Sequence, residues 1–550
     1  MNFSNKELSV LSYKLRHSCT FIILLYLLFN FQSTTLSQPN FEWEGSFPND
    51  TTGVHDGVAF PLAIDDAGNV IIGGSVGYLN GYVCFATVKY SSSGFQQWAS
   101  TYFGQNTGGR GVFDLALDNN GNVFITGKTW TSGQNFNWCT IKYSAAGVQE
   151  WVQIYDDSLN GEDLSEKIGV DNAGNIYVSG YCEIASGGGL SFVTIKYSTD
   201  GRQLWVRKYP VPTGDAYVNG LLIDDSCNIY ITGEHTGRAL TIKYDSSGTD
   251  LWRQLGPGFP NGFATSNSMA LDRFHNVYIA GENAANYRVN YFTIKYSTSG
   301  VQQWMREFNI DTTQPSWNIG NCIVVDSSDN IYVNGSTWLN ASDPMKYCTI
   351  KYSNSGNLLW VRRDSTHLAG QDTYMAIDRD GFVYVGGEGC PVAVGRCQDD
   401  RQTVIKYDSS GNKQWQISGN RSQFHNFLLD KNFNIYITSG GNKLFIEKYS
   451  QLVGVKSRNS RVPNIFKLFQ NYPNPFNPST IINYTIPKSG FVKLSIYNVL
   501  GQLMKTIVNE NEEAGYHTVR FEAANLSSGI YFYRMDSGDY REIKKMTICK

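Results

Sequence analysis

The chain has 550 residues, a formal net charge of -3 and only 17% charged residues, against 14% aromatics and 54 glycines. That length exceeds one ordinary domain and allows a large buried core. The composition suits short strands, tight turns and aromatic packing and fits poorly with a helical or disordered chain; without a basic stripe or a basic amphipathic segment, no nucleic-acid partner and no membrane-surface helix is expected.

At the N-terminus Lys6, Lys14, Arg16 and His17 precede the apolar run Phe21 to Phe29. The run is about half of the roughly 20 residues that span a bilayer. Small residues follow at Thr35-Leu36-Ser37, where a signal peptidase reads. Residues 1–37 are therefore read as a signal peptide with the mature start near Gln38, leaving no transmembrane helix in the mature chain. Of ten cysteines, Cys19 leaves with this leader, and the other nine show no metal-like spacing. Cys390 and Cys397 flank a short loop and are either bridged in an oxidising compartment or free. Cys84, Cys139 and Cys348 fall just before one repeated motif and read as small buried hydrophobes.

That motif fills the middle of the chain. Asp118-Asn119-Asn120-Gly121-Asn122-Val123-Phe124-Ile125-Thr126-Gly127 recurs from Asp65, Asp171, Asp224, Asp272, Asp326, Asp378 and Asp430, eight times in all. Asp with Gly and Asn supplies a tight turn, and the alternating apolar run after it is a strand. Cys227, His275, Asp329 and Phe433 replace the turn glycine and Phe382 replaces the asparagine, so altered turns are expected there. A second motif, Thr140-Ile141-Lys142-Tyr143, leads through a Ser/Gly turn to Trp151. Seven Tyr–Trp pairs keep a spacing of eight: Tyr90–Trp98, Tyr143–Trp151, Tyr197–Trp205, Tyr244–Trp252, Tyr296–Trp304, Tyr352–Trp360 and Tyr407–Trp415. This is a hairpin of fixed register.

Each unit thus holds four strands in roughly 50 residues, the requirement of a propeller blade. The eighth unit lacks its Trp strand after Lys448-Tyr449-Ser450, while an orphan Trp strand, Phe41-Glu42-Trp43-Glu44, stands at the other end. If Trp43 completes the last blade, an eight-bladed ring closes with a strand from each terminus; an open solenoid would leave a bare edge. The Lys-Tyr, Gly and Trp pattern over residues 41–450 resembles the SBBP-type β-propeller repeats of secreted bacterial proteins, which implies a fold and says little about activity.

Residues 456–463 read as a linker between a propeller at 38–455 and a small domain at 464–550. The proline-rich stretch from Phe469 to Thr480 must run extended. Alternating strands follow at Ile481 to Ile486, Val492 to Tyr497, His517 to Phe521 and Ile530 to Met535, enough for a small Ig-like β-sandwich. Asn471-Tyr472-Pro473-Asn474-Pro475-Phe476, Ile496-Tyr497-Asn498-Val499-Leu500-Gly501-Gln502, Leu526-Ser527-Ser528-Gly529-Ile530-Tyr531 and Lys544-Lys545-Met546 resemble the C-terminal sorting domain of type IX secretion cargo. The resemblance implies transit through the periplasm, engagement of the type IX secretion machinery, and a final place outside the cell or on its surface.

Enzymatic motifs are poor. The seven histidines are scattered, no phosphate loop is present, and the Asp-x-x-Gly-Asn turns are too short to supply the six to eight oxygens of a calcium site. No cofactor or metal is expected, and the repeated Lys reads as a solvated or stacking blade residue. Loop length varies only between second and third strands and between blades. From Asp to Tyr the span is 20 residues in the fourth repeat and 29 in the seventh. These loops share one face, the expected binding face. Trp138 takes a place held elsewhere by Phe85, Phe192, Tyr291 and Tyr347 and reads as structural. Trp130, Trp317 and Trp338 remain, all expected in loops of the variable face, where they either stack on a sugar or protein ligand or pad neighbouring loops. The reading is a secreted or surface module that binds extracellular polysaccharide or protein. The alternative is a propeller glycan hydrolase or lyase, for which Asp399, Asp400 and Arg401 form the one tempting charge cluster.

Overall fold

A computed structural model describes residues 38–451 and 465–549, apart from 49–53, 79–82, 105–110, 131–135, 158–160, 184–188, 211–213, 215, 257–261, 286–287, 312–315, 340–344, 391–400, 420, 422, 442, 472–473, 477–478 and 524–525. The leader 1–37, the linker 456–463 and both members of the Cys390–Cys397 pair at the side-chain level lie outside this description, as do Asp399 and Asp400. Every element among the described residues is a strand.

The third repeat shows how a unit is built. Asp163–Val170, Ile176–Glu183, Leu190–Tyr197 and Gln203–Pro210 pair antiparallel in that order. The first, second and fourth repeats repeat this order as separate four-stranded sheets. The fifth to seventh are joined into one larger sheet, because Val289 bridges to Trp317 and the long strand Leu358–Ile377 passes from one repeat into the next. First strands of successive repeats contact one another around the molecule, and Val54–Ile64 also touches Phe424–Leu429, which closes the circle. The fold is a β-propeller.

The tight turn before each second strand is made by its aspartate. In the third repeat Asp171 Oδ1 accepts the backbone N–H groups of Ala173 and Asn175, while Oδ2 accepts the Asn175 amide at 2.8 Å and the Tyr177 hydroxyl at 3.0 Å. Both oxygens are spent on the turn. Contrary to the expectation of altered turns, the repeats without the glycine keep this geometry. Cys227, His275, Asp329 and Phe433 take positive φ of 58–63°, and Cys227 N–H still donates to Asp224 O at 2.9 Å, as Gly174 does to Asp171. The surrounding network outweighs a left-handed penalty of about 1–2 kcal/mol.

Neighbouring units are locked through tryptophan. Trp98, in the outer strand Gln96–Tyr102, donates its indole N–H to Ala145 O in the outer turn of the second repeat, at 3.1 Å. Its ring covers Gly147, φ +80°, so closely that an added Cβ would lie 2.5 Å from it. Trp151, Trp205, Trp252, Trp304 and Trp360 donate in the same way to Thr199, Ser246, Thr298, Asn354 and Ser409. The repeated lysines are stacking residues rather than solvated ones: Lys196 is buried, lies 4.9 Å over the Tyr177 ring and donates to Ser246 O at 2.9 Å. The core is correspondingly a series of interblade layers. Ile71, Phe85 and Trp98 of the first repeat pack with Val112, Ile125, Cys139 and Tyr143 of the second. Cys84, Cys139 and Cys348 are buried, as expected.

The last sheet is composite. Asn40–Phe47 pairs antiparallel with Leu444–Ser450, which pairs with Ile435–Ser439 and then Phe424–Leu429. Trp43 donates to Ser92 O at 3.1 Å, Lys448 donates to the same oxygen at 3.0 Å, and Glu44 takes a two-point bond from Arg421. After the propeller, Lys467–Leu468, Ser479–Ile486 and Gly515–Glu522 form one sheet, and Leu503–Glu512, Gly490–Asn498, Gly529–Ser537 and Tyr540–Ile548 a second. Ile482, Tyr484, Leu494, Ile496, Tyr533 and Met546 fill the space between them. Of these strands, Lys467–Leu468, Leu503–Glu512 and Tyr540–Ile548 were not expected.

Two outcomes test this account. Deleting residues 38–47 removes Trp43 from the closing seam and is expected to lower the melting temperature by about 5 °C or more; an unchanged melt would argue against closure by both termini. Cys227→Gly relieves a left-handed residue and is expected to stabilise the chain by about 0.5–1 kcal/mol in denaturant titration, net of the entropy a glycine adds to the unfolded state.

Candidate functional site

The two ends of the propeller differ in what their side chains have left to offer. On the turn face the aspartates, asparagines, lysines and indole N–H groups bond to one another and to the adjoining repeat. Ala145 N–H, for example, donates to Asn122 Oδ1, and Thr199 Oγ1 to Gly174 O. The opposite face carries the connections of variable length, and the three candidate tryptophans stand there.

They stand at strand ends rather than in loops, because the strands run further than the alternating pattern indicates. Trp130 ends Val123–Trp130, Trp317 opens Trp317–Val325 and Trp338 ends Ile331–Trp338. Trp317 and Trp338 are direct cross-strand partners, with ring centroids 6.3 Å apart at 75°. Trp317 is 52% exposed and Trp338 half-buried, so one ring props the other outward. Polar groups flank the pair. Arg363 Nε donates to Thr337 Oγ1 at 2.8 Å, and Asn318, beside Trp317, is buried with its amide on Val289 O. Next to it Ser316 donates to Asn309 Oδ1 at 2.7 Å.

Trp130 belongs to a separate group in the second repeat. It is 37% exposed and meets its cross-strand partner Phe136 edge to face at 5.2 Å, with Lys128 Nζ 4.6 Å over the Phe136 ring. Trp138 is fully buried and donates to Tyr181 O, the structural place expected of it. The structure therefore brings together two of the three candidates.

The first and second strands of the blades hold titratable groups that sequence reasoning passed over. Asp114 is held by the backbone: Oδ1 accepts Leu115 N–H and Oδ2 accepts Ile168 N–H of the next repeat, both at 2.9 Å. Burial raises its carboxyl and that of neighbouring Glu166 above their ordinary values. Burial also pushes Asp163 and Glu282, in the third and fifth repeats, up to about 7. Arg401, the described member of the expected charge cluster, opens Arg401–Tyr407 and is exposed. No sequence motif marks these acids, since each depends on a neighbour in a different repeat.

In the C-terminal domain the motif residues hold the two sheets together. Asn471 is buried; its N–H donates to the Tyr533 hydroxyl at 2.7 Å and its amide to Thr480 Oγ1 at 3.0 Å. Asn474 Oδ1 accepts Thr547 N–H at 2.7 Å, tying the proline-rich arm to the last strand, and Phe476 packs against Phe521. Asn498 Oδ1 accepts the N–H groups of Leu500 and Gln502, and the Tyr531 hydroxyl donates to Ser527 O.

Residues 470–549 match the family described as the secretion system C-terminal sorting domain. This sorting domain indicates export by type IX secretion to the cell surface or the extracellular space. Among curated proteins it is similar to an uncharacterised WD repeat-containing protein of Acanthamoeba polyphaga mimivirus, 24% identical over 450 residues, covering 66% of this chain and 32% of the relative. The chain thus spans about a third of that relative's length. Among solved structures it is similar to the Dos1 propeller, at 10% identity and TM-score 0.46, covering 76% of this chain and 96% of that one. It is also similar to PorZ, a surface component of the type IX secretion system of Porphyromonas gingivalis, at 12% identity and TM-score 0.31, covering 90% of this chain and 81% of PorZ. No helix among the described residues is long and apolar enough to cross a membrane.

Deleting residues 464–550 is expected to leave the propeller in the periplasm, as read by cell fractionation. Normal appearance of the truncated chain in the medium would refute the sorting role of the tail.

Proposed function

We propose that the chain is an exported eight-bladed propeller of SBBP-type repeats, residues 38–455, that binds extracellular polysaccharide on its loop-bearing face. A leader at 1–37, a linker at 456–463 and an Ig-like sorting domain at 464–550 complete this reading. The observation that carries it is the Trp317–Trp338 pair: an exposed indole, held by a second one. An exposed aromatic face is what a sugar ring needs, since its C–H face stacks on the indole. The Trp130–Phe136–Lys128 group in the second repeat offers a second aromatic surface for a long chain rather than a share in one small site.

The test is a binding screen of the chain without its leader against extracellular polysaccharides, with product analysis on the same samples. Trp317→Ala is expected to weaken binding at least about tenfold, the loss of roughly 1.4 kcal/mol or more of stacking, while its melting curve stays close to that of the parent. Retained affinity in Trp317→Ala would overturn this placement of the site. Turnover of the polysaccharide would instead establish the hydrolase or lyase alternative, and binding confined to an extracellular protein would replace the glycan as ligand.

A further inference from the structure

The seam between the second and third repeats holds a cluster that neither the turn network nor the aromatic face uses. Asp157 follows the outer strand Gln149–Tyr155 of the second repeat, and Asp163 opens the innermost strand of the third. Cys182 is the direct cross-strand partner of Asp163. One oxygen of each carboxylate and the Cys182 sulfur lie within 4.8 Å of one another. Asp163 is 0% and Cys182 1% exposed. Asp163 Oδ2 accepts the Asp157 backbone N–H at 3.0 Å, whereas Oδ1 is buried with no hydrogen-bond partner. A buried carboxylate oxygen left unpaired is costly, because the weakly donating Cys182 thiol beside it does not replace the water it has lost.

The fold does not require this cost. At the same register in other repeats Ala216 faces His235, Ala264 faces Asn283 and Asn318 faces Thr337. Alanine fills the Asp163 place twice without any polar group to satisfy. The acid and the thiol together are peculiar to the third repeat among these sheets, and they converge with a second acid from the neighbouring one.

We propose that Asp157, Asp163 and Cys182 form a site for one divalent metal ion of the zinc class. A thiolate with two carboxylates suits a borderline cation held by three protein ligands, and it disfavours calcium and magnesium, which take oxygen donors. The orphan oxygen of Asp163 gains its missing partner in the ion. Lys208 Nζ now sits 3.4 Å from Asp157 Oδ2, and its side chain is 43% exposed, so it is free to turn outward as the ion enters. The ion would staple two repeats through side chains on either side of their seam.

The test uses the chain without its leader, titrated with Zn²⁺ in competition with a chromophoric chelator, and with Co²⁺ as a spectroscopic probe. One equivalent of Zn²⁺ is expected. Co²⁺ should give a thiolate-to-metal charge-transfer band that Cys182→Ser abolishes. Asp163→Asn should weaken Zn²⁺ binding at least tenfold while leaving the metal-free melting temperature unchanged or higher. Absence of stoichiometric binding in the parent would overturn the proposal, as would parental Zn²⁺ affinity in both variants, which would assign the ion to other cysteines.

Discussion

The architecture rests on an indole laid over a glycine. Every repeat but the seventh sends a tryptophan from its outer strand onto the outer turn of the next, where only a residue without Cβ leaves room and where a turn carbonyl accepts the indole N–H. Gly147 illustrates both halves of the requirement, a positive φ and a ring within contact of its Cα. A four-stranded sheet with two apolar faces has no stable existence alone; the tryptophan fixes the angle at which its neighbour covers it. The lysine beside it does related work, flattening against a tyrosine or phenylalanine ring and ending on the same turn. Apolar burial and directional bonds thus act at one seam, and they act again wherever the seam recurs.

The same interaction divides the molecule into an end that is committed and an end that is free. On the turn face nearly every polar side chain of the repeat is engaged in holding the turn or the adjoining blade, so its chemistry has been used by the fold. Asp171, Asn175 and Tyr177 form a closed local network, and their counterparts do likewise. The opposite end is shaped by connections that the seam does not constrain, which is why length and composition can drift there. An exposed tryptophan or an unsatisfied carboxylate on that side stands out, because the fold supplies no reason for it.

Much of this was legible in the sequence because it is local and repeated. The Tyr–Trp spacing of eight fixes a hairpin register without any long-range knowledge, and the unpaired Trp43 strand could be matched to the unit that lacked one. What escaped reading depends on contacts between residues far apart in the chain or on local strain that the whole ring supports. Trp317 and Trp338 were candidates singly, yet their pairing follows from a register that only the folded sheet displays. The Asp157, Asp163 and Cys182 group spans two repeats and has no motif. Altered turns were expected with Cys227 or Phe433 in the glycine place, and the turns do not differ, because the Asp-centred bonds enforce the conformation. Leu503–Glu512 was missed for a plainer reason: most of its side chains are exposed, so the alternation that advertises a strand is absent.

The composite sheet has a mechanical consequence. Leu444–Ser450, the strand from which the chain proceeds toward its tail, lies between Asn40–Phe47 on one side and Ile435–Ser439 on the other. Any tension applied through the tail therefore enters an inner strand gripped by ladders on both flanks. The outermost position is held by the segment that begins the propeller, which bears no load from that direction. Had the chain closed the other way, with its final strand at the edge, the same pull would peel a single ladder from its end. A ring that takes its last strand from its beginning places its weakest edge away from its tether.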